Sequence, residues 1–134
     1  MSQPLANRLA DYACGLRFED LTADAVHEAK RRFIDSIATA VGAMHADAYA
    51  IARRVALRVQ GNPGATLFGG GRSSAEWATF VNGLLIRYLD YNDTYLSLEP
   101  AHPSDNLAAV LAVGEMLQAG GRDLITAAVL AYEV

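Results

Sequence analysis

Apolar residues recur every three or four positions along most of this chain, a spacing that predicts amphipathic helices. The first pattern comprises apolar residues from Leu5 to Leu16, and Gly15 lies near the predicted end of that helix. The second opens with Thr22 as a predicted N-cap and with Asp24 in the first turn, where the helix dipole favours an anion. Its apolar stripe predicts a long helix and comprises Val26, Ala29, Phe33, Ile37, Ala40, Val41 and Met44. The opposite face carries Glu28, Lys30, Arg31 and Arg32.

A third helical pattern extends from about residue 47 to Gln60, and its periodicity predicts that Ile51, Val55 and Val59 point inward. Residues 61–64 (Gly-Asn-Pro-Gly) should end it. The next residues, 65–68, read as a short extended segment, and the three glycines at 69–71 read as a turn.

The second half of the chain predicts three more helices. Ser73 and Glu76 have the spacing of a capping box, which indicates the start of the fourth. Its broad buried face comprises Trp77, Phe80, Val81, Leu84, Leu85, Tyr88 and Leu89. A fifth helix is expected from Pro103 and Ser104 to the glycines at 120–121, and Asp123 should cap a sixth helix over residues 124–134. The prediction is an all-α fold of about six helices over residues 1–134.

Composition narrows the class of protein. The chain has 134 residues, is 52% hydrophobic and 19% charged, and carries a net charge of −4. These values indicate one folded domain and exclude disorder. The basic residues are scattered, so we expect no nucleic-acid partner. No apolar run approaches the roughly 20 residues of a membrane span. The single cysteine, Cys14, is expected to be a small buried core residue and fits a reducing cytoplasm.

The sixth predicted helix reaches Val134 without a glycine or a basic last turn. Helices usually carry such a stop signal. We therefore expect this chain to be a fragment of a longer protein.

Residues 88–106, called the polar segment below, interrupt the helical pattern. They contain four carboxylates (Asp90, Asp93, Glu99 and Asp105) together with His102. A calcium loop is excluded because its sixth position is Tyr95 and its twelfth is Ala101. A magnesium site on Asp90, Asp93 and Asp105 remains a possible interpretation. A phosphate loop at the glycines 69–71 is disfavoured, because the lysine of that motif is missing.

His102 is the candidate for proton transfer within the polar segment. Pro103 biases it towards an extended conformation, ahead of a predicted helix N-terminus whose free N–H groups favour an anion. Histidine beside a carboxylate is a ready general acid or base. From the residues alone, catalysis and a structural cap remain equally good interpretations.

The polar segment also carries a resemblance. Residues 87–96 (Arg-Tyr-Leu-Asp-Tyr-Asn-Asp-Thr-Tyr-Leu) and 102–106 (His-Pro-Ser-Asp-Asn) closely resemble the MmgE/PrpD family, and specifically its 2-methylcitrate dehydratase branch. Residues 9–13, residues 30–37 and the Asn82–Gly83 pair agree with it. The resemblance covers the whole chain but only the N-terminal portion of the family's length.

The resemblance implies the first part of a helical large domain, into which the family inserts a smaller α/β lid. Members act on di- and tricarboxylates without an obligatory metal or organic cofactor. The dehydratase branch converts 2-methylcitrate to 2-methylaconitate in propionate breakdown, and related members decarboxylate cis-aconitate or epimerise iminodisuccinate. A cytoplasmic homodimer is expected for the complete protein.

The resemblance also implies which residues act. Asp90, Thr94 and His102 match family active-site positions, and the spacing from Thr94 to His102 fits the dehydratase branch. His102 is the candidate acid or base, Asp90 would orient or tune it, and Thr94 would hold a substrate oxygen. The family's lysines and further histidine come from later segments.

Substrate carboxylates need donors and cations. The N–H groups of Ser104 to Asn106 are candidate donors, and Arg87 is the expected cation near the polar segment. Four carboxylates with one arginine among them would repel a tricarboxylate, so we expect the isolated chain to be inactive. The alternative is a non-catalytic truncated helical module that serves folding or dimerisation.

Overall fold

A computed structural model describes residues 3–134, and the described part of the chain contains six α-helices and one short hairpin. The elements are α1 (Leu5–Gly15), α2 (Ala23–Gly42), α3 (Asp47–Ala56), β1 (Ala65–Thr66), β2 (Arg72–Ser73), α4 (Ala75–Tyr88), α5 (Leu107–Met116) and α6 (Gly121–Glu133). Two 3-10 turns cover Phe18–Asp20 and Pro103–Asn106. The all-α prediction with six helices is confirmed.

Helix α4 lies at the centre of the core, where it packs against α2, α3 and α5. Its residues Val81, Leu85 and Ile86 are fully buried. A second cluster joins α2 to α6 through Ala29, Leu107 and Ala128, and Phe33 and Tyr132 are among the partly buried residues packed against it. This cluster brings the N-terminal half of α2 and the C-terminal half of α6 beside the polar segment.

The hairpin is attached to α4 by the buried side chain of Asn82. The Asn82 Oδ1 atom accepts the Phe68 N–H at 2.8 Å, and its Nδ2 atom donates to the Thr66 carbonyl at 2.9 Å. The predicted turn at residues 69–71 is confirmed, since all three glycines have positive φ. At Gly69 an added Cβ would meet the Tyr49 hydroxyl at 2.3 Å.

The second helix begins as predicted, because the Thr22 hydroxyl accepts the Ala25 N–H at 3.1 Å. The third does not continue to Gln60; it ends at Ala56. Its predicted inward face was wrong, since Ile51 is 55% exposed. The buried residues are Tyr49, Ala52 and Ala56, because Tyr49 bonds the Phe68 carbonyl and small alanines allow close packing.

The predicted capping box at Ser73 was also wrong. Ser73 belongs to β2, and its buried hydroxyl contacts the Ala56 carbonyl at 2.7 Å and the Val59 carbonyl at 2.9 Å. These two carbonyls lie at and beyond the end of α3, where the helical hydrogen-bond pattern ends; the Ala56 carbonyl also accepts the Val59 N–H at 3.0 Å. Ser74 is the N-cap of α4 instead.

Two other expectations about burial failed. Phe80 and Tyr88 of α4 are more than half exposed. Helix α1 buries none of its residues, so its apolar stripe stays open and Cys14 is exposed. The amphipathic pattern correctly predicted that α1 is a helix, but it could not show what the helix packs against.

In the part of the chain that the structure describes, no helix is both long and apolar enough to cross a membrane.

Candidate active site

The polar segment leaves α4 and forms a loop that is closed at its base. Tyr95 and Ala101 exchange two backbone hydrogen bonds, at 2.8 and 3.1 Å. The tip between them lies in solvent, and Leu98 there is 99% exposed. Asp93, Thr94 and His102 lie near the base, beside α2, α6 and the turn Pro103–Asn106, whereas Glu99 lies in the exposed tip.

Asp93 ties this base to two neighbouring elements. Its Oδ1 atom accepts the backbone N–H of Ser104 at 3.2 Å, and its Oδ2 atom accepts the hydroxyl of Tyr132 at 2.7 Å. Partial burial raises the pKa of Asp93, but the hydrogen bonds from Ser104 and Tyr132 outweigh burial and hold that pKa below its ordinary value. Burial and the negative charge of Asp93 raise the pKa of the Tyr132 hydroxyl. Asp93 is therefore an anion and Tyr132 a neutral donor.

His102 and Thr94, two of the residues predicted to act, lie together. The Nδ1 atom of His102 is 2.8 Å from the Asp93 carbonyl oxygen and 3.4 Å from the Thr94 hydroxyl oxygen. The backbone of His102 has φ −116° and ψ 85°, outside the helical region, as expected before Pro103. The ring is half-buried.

Asp90, the third predicted residue, makes no hydrogen bond to His102. Its carboxylate pairs with Arg87, three residues earlier. That hydrogen bond and the Arg87 charge lower the pKa of Asp90. Arg87 also lies 3.8 Å from Asp105, so its charge is already balanced within the chain.

Of the predicted carboxylate donors, the N–H groups of Ser104 and Asp105 are likewise engaged, the latter by the His102 carbonyl at 3.0 Å. Ser104 is buried; its N–H binds Asp93, and its hydroxyl accepts a hydrogen bond from Asn92 Nδ2 at 3.0 Å. The side chain of Asn106 donates to the Ala131 carbonyl at 3.4 Å. The fifth helix was expected to begin at Pro103 and Ser104. Residues Pro103–Asn106 form a 3-10 turn instead, and α5 starts at Leu107. The substrate-binding roles of Ser104 and Asn106 stay predictions.

A cavity of about 400 Å³ opens beside these residues. Its walls come from α2, the polar segment and α6: Ala25, Glu28, Ala29, Arg32, Asp93, Thr94, Tyr95, Pro103, Ala128, Val129, Tyr132 and Glu133. Arg32 was assigned to the outer face of its helix, and its place in this wall is a correction. The signal was available, since Arg32 lies one helical turn after the buried Ala29.

The sequence suggested Asp93 only as a magnesium ligand, and it did not suggest Tyr132. Tyr132 follows Ala128 by four residues and so shares its buried face. Across residues 3–134, no group of three histidine, cysteine or acidic side chains lies close enough to hold a metal ion. The three carboxylates of the magnesium alternative are engaged instead with Arg87, Ser104 and Tyr132.

Comparison with known proteins identifies a family whose sequences match this chain. Residues 7–134 match the MmgE/PrpD N-terminal domain. A 2-methylcitrate dehydratase from Cupriavidus necator is 46% identical over 59 residues, which cover 40% of this chain and 12% of that protein. The 2-methylcitrate dehydratase of Escherichia coli K12 is 40% identical over 67 residues, or 42% of this chain and 14% of the relative.

A third relative, a probable 2-methylcitrate dehydratase of Saccharomyces cerevisiae, is 58% identical over 38 residues. The match covers 28% of this chain and 7% of the yeast protein. In these three comparisons, the aligned part of the chain spans at most 14% of the relative's length.

Proposed function

Since this chain belongs to the MmgE/PrpD family, we propose that the complete protein dehydrates 2-methylcitrate to 2-methylaconitate and that this chain supplies one part of the active site. The names of the relatives support the reaction, because three similar proteins are designated 2-methylcitrate dehydratases or probable ones. The complete protein is expected to be a cytoplasmic homodimer that needs no metal or organic cofactor.

The observation that carries this proposal is the pairing of His102 with Thr94, whose side chain lines the cavity; His102 is not itself among the lining residues. Histidine is the side chain used most often for general acid–base catalysis, so His102 is the candidate for proton transfer. Thr94 lies 3.4 Å from the ring and lines the cavity. The cavity volume falls in the range of about 300–1,000 Å³ that small-molecule sites occupy.

Dehydration requires two proton transfers. A base removes the proton alpha to a carboxylate, the carbon–oxygen bond breaks, and an acid protonates the departing hydroxyl so that it leaves as water. We assign one of these transfers to His102. Thr94 can hold a substrate oxygen through its hydroxyl, and the partner group for the second transfer belongs to a segment outside this chain.

The charges around the cavity require further cations for a tricarboxylate. Among the described residues, Arg32 is the only basic one in the cavity wall, which also carries the acidic residues Glu28, Asp93 and Glu133. Arg32 also lies 3.5 Å from Glu28. Positive groups from the remainder of the protein must therefore neutralise the substrate.

A substrate panel tests this function. The complete protein is incubated separately with 2-methylcitrate, cis-aconitate and iminodisuccinate, and products are identified by mass spectrometry. We expect 2-methylaconitate to form from 2-methylcitrate, with kcat/KM highest for that substrate. Turnover of cis-aconitate or iminodisuccinate alone would assign a different family activity. Absence of turnover on all three would favour the non-catalytic module.

A further inference from the structure

Asp93 contacts the candidate base through its main chain and the surrounding elements through its side chain. Its carbonyl oxygen lies 2.8 Å from His102 Nδ1. Its carboxylate accepts one hydrogen bond from Ser104 and another from Tyr132. One residue thus connects α6 and the turn Pro103–Asn106 to the imidazole ring.

The main-chain contact fixes the proton on the ring. A carbonyl oxygen can only accept a hydrogen bond, so Nδ1 of His102 must carry the hydrogen that lies between them. A neutral imidazole has a single N–H group, and the lone pair is then on Nε2. Thr94 also contacts the ring at Nδ1. The nitrogen with a free lone pair is therefore Nε2.

The side-chain contacts fix the carbonyl. Tyr132 and Ser104 bind different oxygens of the same carboxylate, from two different elements. The hydroxyl of Ser104 accepts a further bond from Asn92, next to Asp93 in the chain. The tip beyond Tyr95 is exposed. The base of the loop is held in place by these contacts and by the Tyr95–Ala101 pair.

We propose that Asp93 and Tyr132 are positioning residues that keep neutral His102 in the Nδ1–H tautomer, so that Nε2 exchanges the proton with the substrate. The last clause rests on the proposed function; the tautomer does not. Neither Asp93 nor Tyr132 needs to touch the substrate in this role. Tyr132 acts through the Asp93 carboxylate, and Asp93 acts through its own carbonyl.

Nitrogen-15 NMR of the complete protein tests the tautomer directly. The protein is labelled at both ring nitrogens of histidine, and the His102 signals are assigned by their loss in His102→Gln. At a pH above the pKa of the ring, we expect Nδ1 to be protonated and Nε2 unprotonated. A wild-type ring with its hydrogen on Nε2 would overturn the proposal.

Two variants test the positioning. In Tyr132→Phe we expect the ratio of Nε2–H to Nδ1–H tautomer to rise about threefold or more, because the Asp93 carboxylate loses one of its two donors. Asp93→Asn keeps an acceptor oxygen and should change the ratio less than Asp93→Ala. The matched control is Tyr12→Phe on α1, which should leave the ratio unchanged.

An unchanged tautomer ratio in folded Tyr132→Phe and Asp93→Ala would contradict the positioning role. The spectra are recorded without substrate, so they separate this proposal from the proposed function. A protein with the Nδ1–H tautomer, and with the expected change of ratio in the variants, that fails to dehydrate 2-methylcitrate would support the positioning pair and contradict the function.

Discussion

At the scale of single residues, the ionised carboxylate of Asp93 should make stability depend on pH. Its pKa in the folded protein lies below the ordinary value, so the unfolded chain binds a proton more readily than the folded one. The contribution of Asp93 is present above the unfolded pKa and is lost as pH falls through the folded pKa. We therefore expect the free energy of unfolding to fall below about pH 5.

The variant Asp93→Asn isolates this effect, because its amide does not titrate. Urea unfolding at a series of pH values should show a steeper loss of stability in the wild type than in the variant. The other carboxylates titrate in both proteins and cancel in the comparison. Parallel pH profiles for the two proteins would show that Asp93 is not stabilised as an anion.

The sequence could suggest His102 and Thr94 because their residue types and spacing are local features, and their roles stay predictions. It could not show that the Asp90 carboxylate pairs with Arg87, or that the main-chain carbonyl of Asp93 contacts the ring instead. Asp90 and Asp93 are only three residues apart, and the choice between them depends on Arg87, which pairs with Asp90, and on Tyr132, which lies 39 residues beyond Asp93. Partners that are distant along the chain leave no local pattern.

At the scale of elements, Asn82 should be a main determinant of how the hairpin attaches to α4. Its side chain is 2% exposed and satisfies both the Phe68 N–H and the Thr66 carbonyl. Substitution by alanine leaves both backbone groups without this partner. We expect Asn82→Ala to lower the free energy of unfolding by about 1–3 kcal/mol in urea denaturation.

The exposed Asn7 of α1 provides a control of identical chemistry. Asn7→Ala should change the free energy of unfolding by less than about 0.5 kcal/mol. Equal effects at the two positions would mean that the buried hydrogen bonds of Asn82 contribute no net stability.

Periodicity predicted the existence of all six helices, but it was a poorer guide to the face that each helix buries. In α3 the larger aliphatic residues Ile51 and Val55 are exposed, whereas Ala52 and Ala56 are buried. Alanine has little hydrophobic surface, and its burial reflects the close approach of α4 rather than a strong local preference. Such an approach is a property of the packed chain and is not encoded in one helix.

At the scale of the whole molecule, the described site is incomplete in charge. A tricarboxylate entering the cavity would meet Arg32 together with Glu28, Asp93 and Glu133, while Arg87 is already paired with Asp90. We therefore expect the isolated 134-residue chain to show no 2-methylcitrate dehydration above background. Turnover near that of the complete protein would contradict the view that other segments supply the missing cations.

The central claim is that His102 transfers a proton in this dehydration, and the most direct measurement is kcat of the complete protein carrying His102→Ala. The matched control is His45→Ala, which removes an exposed histidine just after α2. We expect kcat on 2-methylcitrate to fall by about a hundredfold or more for His102→Ala and to stay near wild type for His45→Ala. An unchanged kcat with lowered stability for His102→Ala would contradict the account and give His102 a structural role.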